Sequence, residues 1–245
     1  MENDNKVPAW LERSELLLGQ EGLEKMRNAN VAVIGLGGVG AYAAEMIVRA
    51  GVGSIIILDS DQVSLSNKNR QLLAMDSTLG RKKTDVMRER LLDINPDLKI
   101  TVLDSYLDEE NISSVLGALP KIDFLVDAID TLAPKIALIQ YCVTNGVRLV
   151  SSMGSGAKFD ATAIKITDIS KSFNCPLAYI LRKKLRKVGI SKGFKVVFSE
   201  ELPQREAIVP VEGERNKKSQ VGTISYLPAV FGCVCAQAVI RGLLE

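Results

Sequence analysis

The sequence predicts an α/β fold: a Rossmann-like, mostly parallel sheet with helices on both faces and a mixed C-terminal extension. Three observations carry that expectation. Short apolar runs alternate with helix-forming segments across residues 31–151, the pattern of successive βαβ units. The runs are apolar at consecutive positions, as strands covered on both faces are. A glycine-rich turn, Gly35-Leu36-Gly37-Gly38-Val39-Gly40, stands between the first run and the first helical segment, where doubly wound sheets bind nucleotides.

The elements follow in order. Residues 31–34 form a strand, and residues 41–50 a helix that Gly51-Val52-Gly53 stops. Residues 54–59 (Ser-Ile-Ile-Ile-Leu-Asp) make a second strand, and residues 81–94 a helix ended by Asn95-Pro96. A strand at 99–103, a helix at 109–119, a strand at 122–126 ending on Asp127, a helix at 132–144 and a strand at 147–151 complete the alternation. Beyond Ser152 the regularity fades. Residues 163–169 and 194–198 read as strands of the mixed extension, 176–188 as a basic helix, and 200–220, with Pro203, Pro210 and Gly213, as a mobile loop. Residues 1–245 are expected to form one domain, with a nucleotide-binding core at 11–155. The substrate-side extension at 156–245 carries the basic segment and the C-terminal helix.

Composition narrows the class. The chain has 245 residues, 47% hydrophobic and 24% charged, which excludes disorder, collagen-like repeats and a disulfide mini-scaffold. With 31 basic and 29 acidic side chains the net charge is +2, so a nucleic-acid partner must be met by a local patch. There are no histidines, so imidazole chemistry is excluded. Cys142, Cys175, Cys233 and Cys235 include no C-x-x-C pair, so no structural zinc is expected. Residues 1–10 lack an apolar run, and with the unpaired cysteines they point to the cytoplasm. The most apolar stretch, 227–244, is broken by Gly232, Gln237, Arg241 and Gly242. It reads as a buried helix without stable membrane insertion, superficial membrane contact through it staying open.

The chemistry gathers around the glycine turn. Gly35, Gly37, Gly38 and Gly40 permit a tight turn and close approach of phosphate to backbone, while the following helix offers unpaired N–H groups. Asp59 ends the next strand, 19 residues beyond Gly40, where a carboxylate can accept both ribose hydroxyls. Glycines could serve a turn alone, but strand, helix and acid in register favour nucleotide binding. The fingerprint by itself suits a dinucleotide and an NAD-dependent oxidoreductase. Asp61, Asn67, Asn69, Arg70 and Gln71, with Lys83 at the start of the next helix, argue for ATP instead. Two cations near a phosphate turn suit a triphosphate, through charge-assisted bonds that strengthen as charge develops. Asp127-Ala-Ile-Asp130 then follows the strand at the same edge. Asp130 is the better Mg2+ ligand, and Asp127 the more structural residue, competing as an N-cap for the helix from Leu132.

As a set, Arg13, the Gly35–Gly40 turn, Asp59-Ser60-Asp61, Asn67-Lys68-Asn69-Arg70-Gln71, Lys83 and Asp127-Ala128-Ile129-Asp130 resemble the ubiquitin-activating-enzyme-like adenylating superfamily. The resemblance implies that Asp59 holds the ribose. Asn67, Arg70 and Lys83 would contact phosphates and the reacting carboxylate, and Asp130 would hold Mg2+. Arg13 would reach into a partner subunit's site, making a homodimer the functional unit. The shared chemistry is attack of a carboxylate on the ATP α-phosphate, carried by positioning and charge neutralisation.

The second half selects a branch. The paired C-x-x-C motifs of sulfur-carrier activators are missing. Asn174-Cys175-Pro176-Leu177-Ala178, the basic helix, Lys195–Glu201 and Gly222–Pro228 resemble instead the tRNA threonylcarbamoyladenosine dehydratases. That resemblance implies a tRNA substrate, activation of a threonyl carboxylate beside the anticodon, and ring closure by the carbamoyl group of the same nucleoside, without a catalytic cysteine. Arg182, Lys183, Lys184, Arg186, Lys187, Lys192 and Lys195 lie in an acid-free stretch. Such a run is commonly a solvated face, and the resemblance turns it toward tRNA phosphates. Tyr179 and Phe194 are its only aromatics, so stacking is a weak expectation, and Lys217 and Lys218 would extend the patch. Cys233 and Cys235 read as buried and inert, and Cys175, in a loop, as the better reactive thiol. Two other readings stay open: adenylation of the C-terminal glycine of a ubiquitin-like sulfur carrier, with a carrier or sulfur-transfer partner, and a non-catalytic nucleotide-binding module that docks tRNA or a protein.

Overall fold

The computed structural model describes residues 7–210 and 219–245. Helix α1 (Glu12–Asn28) leads into β1 (Asn30–Ile34), α2 (Gly40–Arg49), β2 (Ser54–Leu58), α3 (Lys83–Ile94) and β3 (Lys99–Leu103). Next come α4 (Ile112–Gly117), β4 (Phe124–Asp127), α5 (Leu132–Thr144) and β5 (Leu149–Ser152). The second part adds β6 (Ile164–Asp168), α6 (Pro176–Lys187), β7 (Lys195–Ser199), β8 (Ile208–Pro210), β9 (Ser219–Val221) and α7 (Tyr226–Leu244). Seven strands form one sheet in the order β3-β2-β1-β4-β5-β7-β6. All neighbours are parallel except β6, which runs antiparallel to β7.

Strict alternation along the strands builds a core on each face. Val31, Val33, Ile55, Ile57, Phe124, Val126, Val150 and Val197 point to one side and pack with α2, α3 and α7. Ala32, Ile34, Ile56, Leu58, Leu125, Leu149, Val196 and Phe198 point to the other and pack with α4, α5 and α6. Because successive strand residues face opposite ways, strands apolar at every position can only sit in the middle of three layers. β7 and β6 continue the same sheet and α7 lies on α2, so residues 156–245 close the core of the first half. They do not form a separate lobe.

Four features depart from the sequence expectations. Helix α1 has no counterpart in them, since its face is mostly polar and Gly19 breaks it at φ 72°. The helix expected at 109–119 shortens to Ile112–Gly117. Asp108 and Asn111 bond each other's backbone N–H groups at 3.0 Å and hold residues 108–111 in a turn, a local alternative these side chains offer to helix. The expected loop at 200–220 contains the antiparallel pair β8–β9, and Lys217 and Lys218 lie outside the described residues. Finally, α7 is long and apolar enough by composition to cross a membrane. Leu227, Phe231, Cys235, Ala236, Ala238 and Val239 spend that apolar surface inside the first core.

Candidate functional site

The reversal of strand order between β1 and β4 opens a crevice at the carboxyl ends of the strands, the ligand position of doubly wound sheets. The glycine turn lies there, and its glycines divide by what a side chain would meet. At Gly35 the backbone is left-handed, φ 92°, and a Cβ would stand 2.9 Å from the Ala128 carbonyl. At Gly40 a Cβ would fall 1.7 Å from the Gly35 carbonyl oxygen, which only glycine allows. A Cβ at Gly38 would press on Pro228 of α7 at 2.9 Å. Gly37 differs. Its Cβ would meet only the Gln71 amide, 3.8 Å away. Two glycines are needed to build the turn, a third lets α7 sit against it, and the fourth leaves its outer side open. Above that opening α2 begins at Gly40 without a side-chain cap among the described residues; the Ala41 N–H bonds the Gly37 carbonyl at 3.3 Å, and the positive end of the helix still faces the opening, where it favours an anion.

Asp59 is tied to this loop. Its carboxylate accepts the Leu36 N–H at 2.6 Å and the Asp61 N–H at 2.8 Å, joining the end of β2 to the turn after β1. Burial pushes the Asp59 carboxyl above the usual carboxylate range, and Lys83 and the two N–H groups oppose the shift without cancelling it. Lys83, the first residue of α3, is only 4% exposed. Its Nζ lies 2.7 Å from Asp61 and 4.0 Å from Asp59. The acid proposed for ribose and the cation proposed for phosphate therefore form one buried cluster at the lip of the crevice.

The segment from Asn67 to Gln71 covers the turn. Asn67 accepts the Ser64 N–H at 3.1 Å, so its side chain is engaged in shaping that segment. The Arg70 guanidinium donates to the Ser66 carbonyl at 3.0 Å and to Asn69 Oδ1 at 2.8 Å, while its own carbonyl lies against Gly38. Asn69 donates to the Thr223 carbonyl at 3.0 Å. Thr223 and Pro228 thus bring the second half of the chain onto the site, a contribution invisible from local motifs because it depends on where α7 packs.

Beneath the crevice Asp127 is fully buried and does not cap α5, whose N-cap is Thr131. It pairs instead with Lys135, fully buried too, at 2.8 Å. The same carboxylate accepts the Ser151 hydroxyl at 2.6 Å and the Ile129 N–H at 3.1 Å. Lys135 also donates to the Ile129 carbonyl at 2.9 Å. Both polar groups of Ile129 are pinned, which holds the backbone presenting Asp130. Sequence reasoning missed Lys135. The available signal was that it is the only charge in the otherwise apolar helix Leu132–Thr144.

Asp130 is exposed at this edge. Among the described residues no group of three acidic, cysteine or histidine side chains could enclose a metal. One exposed carboxylate beside the glycine turn still fits Mg2+, which keeps most of its waters and binds through one or two carboxylates plus phosphates.

Other expected residues stand apart. Arg13 is exposed near the start of α1, whose entry packs through Leu11 on Gly51 beyond the end of α2. That is the edge of the sheet opposite the glycine turn, so Arg13 does not reach the site of its own chain. Lys183, Lys184, Arg186 and Lys187 are exposed on α6. Arg182 is drawn inward, donating to the Ser172 carbonyl at 2.7 Å. Phe194 is buried and Tyr179 is 61% exposed. The cysteines differ from expectation in two places: Cys175 is buried, and Cys233 is exposed. Burial pushes the thiols of Cys142 and Cys235 up to about 12, which leaves them protonated and inert at neutral pH. Burial also pushes Cys233 up.

Comparison with known proteins places this geometry. The ThiF family matches residues 11–245. The tRNA threonylcarbamoyladenosine dehydratase of Bacillus subtilis is 40% identical, over 95% of this chain and 94% of that protein. The crystal structure of the Escherichia coli tRNA N6-threonylcarbamoyladenosine dehydratase in complex with ATP superposes with a TM-score of 0.87 at 33% identity, covering 97% of this chain and 96% of that one. The molybdopterin-synthase adenylyltransferase of Escherichia coli is 32% identical, but over 63% of this chain and 61% of its own length.

Proposed function

The chain belongs to the ThiF family, and from that membership and the site we infer that it is an ATP-dependent tRNA threonylcarbamoyladenosine dehydratase. The Bacillus subtilis and Escherichia coli relatives bearing that name align along nearly their whole length, whereas the molybdopterin-synthase adenylyltransferase aligns over part of its own. The observation that carries the nucleotide reading is the open side of Gly37, flanked by the buried Asp59–Lys83 cluster.

In the reaction the threonyl carboxylate of the modified adenosine attacks the ATP α-phosphorus. A carboxylate oxygen bonds to phosphorus, the α–β bridging bond breaks, and pyrophosphate leaves. The carbamoyl group of the same nucleoside then attacks the activated carbonyl carbon and loses a proton to solvent as AMP departs. The oxygen removed from the nucleoside leaves in AMP, so the net change is loss of water coupled to ATP cleavage. No side chain needs to act as nucleophile. Asp59 would accept the ribose hydroxyls, the turn and the start of α2 would hold phosphate oxygens, and Lys83 and Arg70 would neutralise charge that grows at the phosphate. Mg2+, held by Asp130 and the nucleotide, would screen the triphosphate. The reaction would run in the cytoplasm, where ATP and tRNA are both available. A paired arrangement is supported by Leu16 and Leu17, 89% and 84% exposed on the same helix as Arg13: a second copy covering α1 would bury them and carry Arg13 toward the neighbouring crevice.

The test is direct. The purified protein, ATP, Mg2+ and tRNA carrying threonylcarbamoyladenosine should yield AMP, pyrophosphate and a nucleoside lighter by one water. AMP formation only with a ubiquitin-like carrier, or ATP binding without turnover on any substrate, would overturn this reading.

A further inference from the structure

The charge of this protein is concentrated in one stretch. Between Asp168 and Glu200 there are eight Lys and Arg residues and no acid, although the whole chain carries only +2; the rest is therefore net acidic by six charges. Folding separates this cationic face from the crevice. Helix α6 starts at the carboxyl-terminal edge of the sheet, where Asn174 donates to the Glu200 carbonyl at 2.7 Å and Cys175 Sγ lies beside Gly154. It ends at the opposite edge, where the Gly193 N–H donates to Asp168 at 2.8 Å, next to the first residue of β7. Leu181 and Leu185 bury one side of α6 in the second core. The outer side shows Tyr179 and then Lys183, Lys184, Arg186 and Lys187, with Lys171 and Lys192 also exposed. At 1.5 Å per residue and about 4.8 Å per strand spacing, the cations stand on the order of 20 Å from the glycine turn.

We propose that this face of α6 is a remote docking surface for the tRNA backbone. It grips the nucleic acid several nucleotides away from the adenosine being adenylated and takes no part in the chemical step. The proposal rests on tRNA being the substrate. The occupant is argued from charge complementarity: four exposed cations, spaced along one helix that carries no acid, match a line of phosphates. Tyr179, at the crevice end of the face, suits an unpaired base, and the cations beyond it suit backbone. Arg182, held by Ser172, is not part of the surface.

The triple variant Lys183→Gln/Lys184→Gln/Lys187→Gln keeps the buried side of α6 intact, and thermal melting should confirm an unchanged fold. Binding of full-length tRNA, followed by fluorescence anisotropy across a salt series, should weaken about tenfold or more near physiological salt. The log–log salt slope should fall by about 2–3, close to one per phosphate contact removed. AMP release at saturating modified tRNA should stay within twofold of the parent, so the loss appears in KM and not in kcat. An unchanged affinity and slope would overturn the proposal and leave the charge to an acidic protein partner. A large fall in kcat at saturation would also overturn it, by placing these lysines in the reaction itself. The parent's own product formation is measured alongside: a parent that binds tRNA with the expected salt slope but forms no product refutes the dehydratase reading while leaving the docking surface standing.

Discussion

Replacing Lys135 by methionine tests the floor of the crevice. The substitution keeps side-chain length and apolar volume but removes the ammonium that pairs with Asp127 at 2.8 Å and bonds the Ile129 carbonyl at 2.9 Å. Asp127 would be left as a buried charge with only the Ser151 hydroxyl and the Ile129 N–H as partners. Breaking a buried pair in this way costs about 3–5 kcal/mol, a large share of the ~5–15 kcal/mol that stabilises a domain. At ~2–4 °C per kcal/mol for a chain of this size, the melting temperature should fall by about 6–20 °C. Adding Asp127→Asn removes the stranded charge and keeps an acceptor for the Ile129 N–H, while its amide NH2 takes the place of the second oxygen and the Ser151 hydroxyl turns to accept from it. The double variant should therefore recover at least ~2 kcal/mol relative to Lys135→Met alone, a strong coupling in a double-mutant cycle. Urea unfolding of the four proteins measures it. Freeing the Ile129 carbonyl should also raise the Mg2+ concentration needed for half-maximal turnover, with nucleotide affinity in the absence of Mg2+ unchanged. A single variant within 1 kcal/mol of the parent, or simple additivity of the two substitutions, refutes the clamp.

Three further outcomes follow from the same geometry. Gly37→Ala should fold normally, since its Cβ meets only a flexible amide, yet lose ATP affinity in calorimetry. Gly40→Ala, forced onto the Gly35 carbonyl, should fail to fold, and equal behaviour of the two variants would remove the distinction between turn glycines and the ligand-facing one. The ribose recognition proposed for Asp59 needs its ionised form, and burial raises its proton affinity. ATP affinity should therefore begin to fall with decreasing pH while still above the usual carboxylate range, and 2′,3′-dideoxy-ATP should lack that component. Arg70→Glu should abolish AMP release with little effect on melting. For Lys83 the neutral Lys83→Met is the better probe, because Lys83→Glu would bury a third acid beside Asp59 and Asp61; pyrophosphate release by either Arg70→Glu or Lys83→Met at the parent rate would contradict their role at phosphate.

The legible part of the site was the part whose chemistry is local. Gly35–Gly40, Asp59 and Lys83 could be placed because each sits within a few residues of a strand or helix end, and the alternation of strand and helix puts those ends on one edge. The same logic failed where a side chain serves something distant. Asp127 looks like a cap for the helix that follows it, but its partner Lys135 lies one turn into that helix and faces back under the strand. Cys175 looks accessible because it precedes a proline in a connecting segment, yet it packs into the second core. Residues 12–28 showed no helix-like apolar stripe, since α1 exposes Leu16 and Leu17 and is bent at Gly19.

From the chain alone came the order of strands and helices from β1 to β5, the doubly covered sheet and the residue types of a phosphate site. Each of these depends on hydrogen bonding and hydrophobic periodicity over spans of ten residues or fewer. Tertiary structure alone decided which glycine stays open to the crevice, which aspartate is buried against a lysine, and how far the cationic helix stands from the crevice. Those properties depend on what the opposite end of the chain brings into contact, on Pro228 over Gly38 and Ser151 beside Asp127. Burial and electrostatics act through space, and no spacing along the sequence encodes that proximity.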